Sequence, residues 1–143
     1  MGYTHYWNIQ KPLDSEKFAA FVEDVKKVKS ATSVKCVVVA NQHEVAVTGP
    51  CETLTIQPGD SGFDFCKTNR YDYDVVVTAV LLLAKRHFAD AIQLSSDGGE
   101  SAFAMARPVY LAITGEEAPE RVTKTGGVLS DEDLYDMSQK LSR

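Results

Sequence analysis

Three short clusters hold the residue types that do chemistry. The first is Tyr3-Thr4-His5-Tyr6-Trp7. A histidine among aromatics can act as a general acid or base, donate to a phosphate, or belong to a surface that stacks on a nucleobase. The plainer reading of His5 is a strand residue satisfied by a backbone carbonyl. The second cluster is Lys67-Thr68-Asn69-Arg70, placed between a predicted strand and a helix that begins near Tyr71 to Asp74. Two cations, a hydroxyl and the free N–H groups of a helix N-terminus suit an anion such as phosphate. In the plainer reading Lys67 and Arg70 are solvated loop charges and Asp72 or Asp74 caps the helix. No glycine-rich turn precedes Lys67, so this is not a P-loop. The third cluster, Ser95-Ser96-Asp97-Gly98-Gly99, again reads strand, turn, helix. Asp97 can orient a His or Lys, bind a metal, accept from a ribose hydroxyl, or cap the helix. His5, His43 and His87 fall in no metal-ligand spacing, and the glycines make no dinucleotide fingerprint, so neither a metal nor a cofactor is expected.

The elements that must position these clusters follow from periodicity. Tyr3 to Ile9 alternates, with Tyr3, His5, Trp7 and Ile9 on one face and Thr4, Tyr6 and Asn8 on the other. Asp14 or Ser15 caps an amphipathic helix whose Phe18, Phe21, Val22, Val25 and Val28 share a face. Lys35 to Ala40, Glu44 to Thr48 and Glu52 to Gln57 read as an antiparallel meander, and Phe63 to Lys67 as a further strand. The stretch from Tyr71 to Phe88 is apolar nearly all round, exceeds strand length and ends in Lys85-Arg86-His87, which predicts a buried helix. Ala91 to Ser95 is a short strand, and Glu100 to about Leu111 a third helix that Pro108 stops or kinks. The expected fold class is α+β: one mixed, mostly antiparallel sheet with two or three helices packed on it. If the strands carrying the three clusters are neighbours, His5, Lys67 and Asp97 surround one cleft.

Residues 1–115 are expected to form the core domain, 116–129 a linker or arm, and 130–143 a short C-terminal helix. Ser130 and Asp133 resemble a capping box, and Leu134, Met137 and Leu141 share a helical face. That helix docks on its own domain or on a partner subunit, the second option making a homodimer or higher homo-oligomer. With 15 Lys plus Arg against 20 Asp plus Glu, the net charge of −5 argues against coating duplex nucleic acid or an anionic membrane. Any anion is therefore held by a local basic pocket. Three cysteines in no CxxC spacing, no basic-then-apolar leader and no membrane-length apolar run point to the cytoplasm.

Together, Met1-Gly2-Tyr3-Thr4-His5-Tyr6-Trp7, Cys51-Glu52-Thr53, Phe65-Cys66-Lys67-Thr68-Asn69-Arg70, Tyr73-Asp74 and Ser96-Asp97-Gly98 resemble a family of small bacteriophage and prophage proteins. Its members open with MGYTHYW and carry FCKT, YD and SDG in that order. The resemblance runs from Met1 to about Tyr110, with Asp72 in place of an expected Pro and Phe103 in place of an expected Trp. It implies a phage-borne accessory role in the cytoplasm of an infected bacterium. By analogy this is an anti-defence protein that binds and sequesters a nucleotide immune signal, a cyclic dinucleotide or an ADP-ribose derivative. The ligand-binding set is then Lys67, Thr68 and Arg70 for phosphates, Tyr3, Tyr6 and Trp7 for a base, and Asp97 or Glu52 for ribose hydroxyls. Thr4, His5, Tyr73, Asp74 and Ser96 complete it from the same motifs. Two alternatives stand beside it. One is a metal-independent phosphodiesterase with His5 as general acid or base and Lys67 stabilising the developing charge. The other is a protein-binding inhibitor acting through the C-terminal arm.

Overall fold

Strand β1 (Thr4–Ile9) forms where aromatic and polar residues alternate, and burial follows the same period: His5, Trp7 and Ile9 are buried, Thr4, Tyr6 and Asn8 half-buried. The structure, a computed structural model, describes residues 3–123. Asp14 caps helix α1 (Ser15–Val25) by accepting from the Lys17 N–H at 2.9 Å, a contact worth about 1 kcal/mol. Phe18, Phe21, Val22 and Val25 are buried along one side of it. The predicted helix breaks after Val25 and resumes as a single turn, α2 (Val28–Ala31), which keeps Val28 in the core. Strands β2 (Val37–Ala40), β3 (Val45–Thr48) and β4 (Leu54–Ile56) form the expected meander. Then come β5 (Gly62–Lys67), α3 (Asp74–Phe88) and β6 (Ile92–Ser96).

The fold is α+β, and its strands divide between two three-stranded antiparallel sheets, ordered β5-β1-β6 and β2-β3-β4, where one sheet was expected. The division falls between β4 and β5. Gly59 and Gly62 there adopt φ of 82° and 86°, left-handed conformations open to glycine at little steric cost, and they turn the chain away from a hairpin. Glu52 joins the sheets instead of a ladder. Its N–H donates to Lys67 O at 3.0 Å and its Oε1 accepts the Lys67 N–H at 2.7 Å.

Helix α3 has no polar face because every side is covered: α1, α4 (Arg107–Thr114), a 3-10 segment (Gly99–Ala106) and β6 pack around it. The single helix expected over Glu100 to Leu111 is thus two elements. Pro108 lies in the first turn of α4, where a missing N–H costs nothing, rather than at the close of a helix. The arm is tied down as far as it is described. Arg107 donates to Ala118 O and Glu120 O at 3.2 and 2.9 Å, Val122 is buried in the core, and Thr123 bridges Leu94 in parallel. The Ser130 cap and the Leu134, Met137, Leu141 stripe lie outside the described residues. Cys36, Cys51 and Cys66 are free thiols, and among the described residues no helix is long and apolar enough to cross a membrane.

Candidate functional site

Strand β1 runs down the middle of its sheet, so its N-terminal end collects all three clusters. His5 lies opposite Cys66 on β5 and Ser96 on β6, while Thr4 lies opposite Lys67 and Tyr6 opposite Phe65 and Ser95. Directly opposed residues share a face. His5, Cys66 and Ser96 therefore point inward towards α3, and Thr4, Lys67, Tyr6 and Phe65 point outward. Phe63 and Tyr6 pack at 6.0 Å on that outer face, and Phe63 is buried without belonging to the main core.

On the inner face His5 is 0% exposed, and both ring nitrogens are engaged. Nδ1 is 2.8 Å from Ser96 Oγ, and Nε2 is 2.5 Å from Asp74 Oδ1. The Thr68 hydroxyl donates to the same Asp74 oxygen. A carboxylate only accepts, so in the neutral imidazole Nε2 carries the proton and Nδ1 accepts from Ser96. Tyr3 meets the ring edge-on at 5.1 Å and Phe103 tilts against it at 5.9 Å. Gly98 closes the network: its N–H donates to Ser96 Oγ at 3.1 Å, and a Cβ there would stand 2.2 Å from the Tyr3 hydroxyl. Burial pushes the Tyr3 phenol above its ordinary pKa, and the Asp74 charge adds to this.

At the rim Asp97 holds β1 in place, accepting from the Thr4 N–H at 3.0 Å and the Tyr6 hydroxyl at 2.8 Å. Burial, then the Asp97 hydrogen bond, pushes the Tyr6 phenol up to about 12. The turn after β5 folds back on Tyr3, whose carbonyl accepts from the N–H groups of Thr68 and Asn69 at 3.0 and 3.2 Å. Asn69 and Arg70 then take φ of 54° and 63°, a left-handed pair that costs non-glycine residues about 1 kcal/mol or more each. This turn sets the Arg70 guanidinium 4.1 Å over the Tyr3 ring. Among the described residues neither Lys67 nor Arg70 forms an ion pair with a carboxylate.

Several expected ligand contacts are corrected by burial. Trp7 is 2% exposed in the core and offers no ring to a base. Tyr73 is 1% exposed, with its hydroxyl donating to Glu52 O at 2.7 Å. Thr68 is fully buried on Asp74 rather than turned to a phosphate. Asp74 opens α3 without capping it, and its carboxylate serves the His5 network. Glu52 spends Oε1 on the Lys67 backbone, and Asp97 binds β1 instead of capping the next element, whose cap is Gly98. His5 and Lys67 sit on opposite faces, so His5, Lys67 and Asp97 meet at one sheet end without surrounding one inner cleft. The link that sequence reasoning missed is Ser96–His5–Asp74: its members are 91 and 69 positions apart, and only the inward phase of His5 hinted at it.

Among the described residues no group of three or more His, Cys, Asp or Glu side chains could hold a metal ion. The fold and site define an α+β domain with a Ser–His–Asp–Thr network centred on a fully buried histidine, under an aromatic, cation-bearing rim. No known family, no curated protein and no solved structure matches the chain.

Proposed function

We propose that the protein binds a phosphate-bearing nucleotide signal at this rim and sequesters it unaltered, as an anti-defence protein in the cytoplasm of a phage-infected bacterium. One observation carries the reading: in a chain of net charge −5, Lys67 and Arg70 flank one turn with no carboxylate ion-pair partner among the described residues, next to Tyr3 and Tyr6. Free cations at an aromatic edge match a phosphate attached to a base. Binding is favoured over cleavage by His5. With no exposure and on the face opposite Lys67, it does not reach a phosphate held by that cation.

The test is a thermal-shift and native-mass screen of the full chain against cyclic dinucleotides and cyclic ADP-ribose species, followed by denaturation and analysis of the released ligand. A ligand present at 100 times its Kd adds about 2.7 kcal/mol, a rise in Tm on the order of 8 °C. The ligand is recovered intact, and the double variant Lys67→Ala, Arg70→Ala loses the shift. Altered product, or a shift that survives the double variant, overturns the reading.

A further inference from the structure

We infer that Ser96 is a nucleophile toward carboxylic esters, activated by His5 with Asp74 and Thr68 as positioning residues. The hydroxyl sits at the end of β6, directly opposite His5 and 2.8 Å from its Nδ1, the nitrogen that accepts when Nε2–H faces Asp74. His5 is held in that tautomer by Asp74, and Asp74 by the Thr68 hydroxyl. This is the nucleophile, base and orienter sequence of an acyl-transfer site, recognised by geometry and roles rather than by chain order. His5 has no exposed surface, yet its basicity reaches an incoming group through Ser96, which is half-buried. The Gly98 N–H donates to Ser96 Oγ at 3.1 Å and fixes the serine oxygen opposite His5.

In the step itself Ser96 Oγ attacks the ester carbonyl carbon and its proton passes to His5 Nδ1. The tetrahedral intermediate then collapses: the carbon–alkoxide bond breaks, and the leaving alkoxide takes the proton from Nδ1. The products are acyl-Ser96 and an alcohol, with no external oxidant or reductant. The inference goes beyond ligand binding at the rim, because it requires none of the cations there.

The experiment treats the full-length protein with a fluorophosphonate and, separately, with p-nitrophenyl acetate, and maps the adducts by mass spectrometry. One phosphonyl or acetyl group is expected on Ser96, released fluoride or p-nitrophenolate matching it. Ser96→Ala abolishes the adduct and Ser95→Ala leaves it unchanged. His5→Gln and Asp74→Asn slow it by roughly 10²-fold or more at unchanged near-UV circular dichroism. If those two variants do not fold, Ser96→Cys replaces them: the new thiol is alkylated by iodoacetamide at neutral pH much faster than Cys51 in the same molecule. Labelling of Ser96 no faster than of Ser95, labelling unchanged in a folded His5→Gln, or a new thiol no faster than Cys51 overturns the inference.

Discussion

Among the described residues two histidine–aspartate pairs occur, and they differ chiefly in the burial of the histidine and in the partners around the aspartate. His5 and Asp74 join a central strand to the first turn of α3, the histidine fully buried and every polar atom of its ring engaged. His87 and Asp24 join the last turn of α3 to α1 at 2.6 Å, with both side chains partly wet at 17% and 15% exposure. Asp24 also faces Arg86 and Lys27 at 3.7 and 3.9 Å, so its charge is shared among competing cations. In the first pair the Asp74 side chain is 21% exposed, so the difference lies on the other side of it, where the fully buried His5 and Thr68 depend on Asp74 for a partner. The wetter pair depends on charge, which solvent screens and neighbours can replace.

The contrast is broken most directly by removing one partner from each pair. Asp74→Ala should lower the unfolding free energy by about 2–4 kcal/mol, since it leaves the donors of the fully buried His5 and Thr68 without their acceptor. Asp24→Ala should cost about 1 kcal/mol. Urea denaturation of the two variants measures both, and equal losses would show that the two pairs do the same work. A smaller change sharpens the contrast: Thr68→Val keeps the shape but deletes the donor to Asp74, at a cost of about 1–2 kcal/mol on the same assay. Smaller again is the salt response. Raising the salt concentration should shrink the penalty of Asp24→Ala towards zero while leaving that of Asp74→Ala in place.

The rim supplies the mildest prediction, one of pH. Tyr6 titrates near 12 in the folded chain, above the ordinary tyrosine value of about 10. Between these values the native state holds a proton that the unfolded chain has lost, so stability is full below about pH 10 and falls as pH rises towards 12. Asp97→Asn, which removes the carboxylate charge, should move the phenolate absorbance transition of Tyr6 to lower pH. An unmoved transition would mean that burial alone sets it.

Much of the fold was legible in single residues. Asp14 or Ser15 marked the start of α1, the two-residue period of β1 put His5, Trp7 and Ile9 on one face, and the length of the 71–88 stretch separated helix from strand. What misled was polarity read as function. Thr68, Asp74 and Tyr73 sit among charged neighbours and looked like ligand contacts, yet their partners are protein atoms brought in from distant segments. Trp7 was half legible: its alternation grouped it with Ile9 on one face, and its aromatic company suggested a base platform that burial denies it. Pro108 shows the same limit on a smaller scale, because a proline signals a helix boundary without saying which end.

By itself the sequence determined which residues share a face, where the first helix begins, that the net charge is −5, and that the basic residues near Tyr71 are a local exception to it. These are properties of neighbours along the chain, set by side-chain period, capping and composition. Tertiary structure alone decided that the strands form two sheets, that Lys67 and His5 face opposite ways, and that Ser96, His5, Asp74 and Thr68 form one chain of hydrogen bonds. Those outcomes turn on pairing register, where a one-residue shift reverses every face. They also turn on contacts across 91 and 69 residues, to which local pattern is blind.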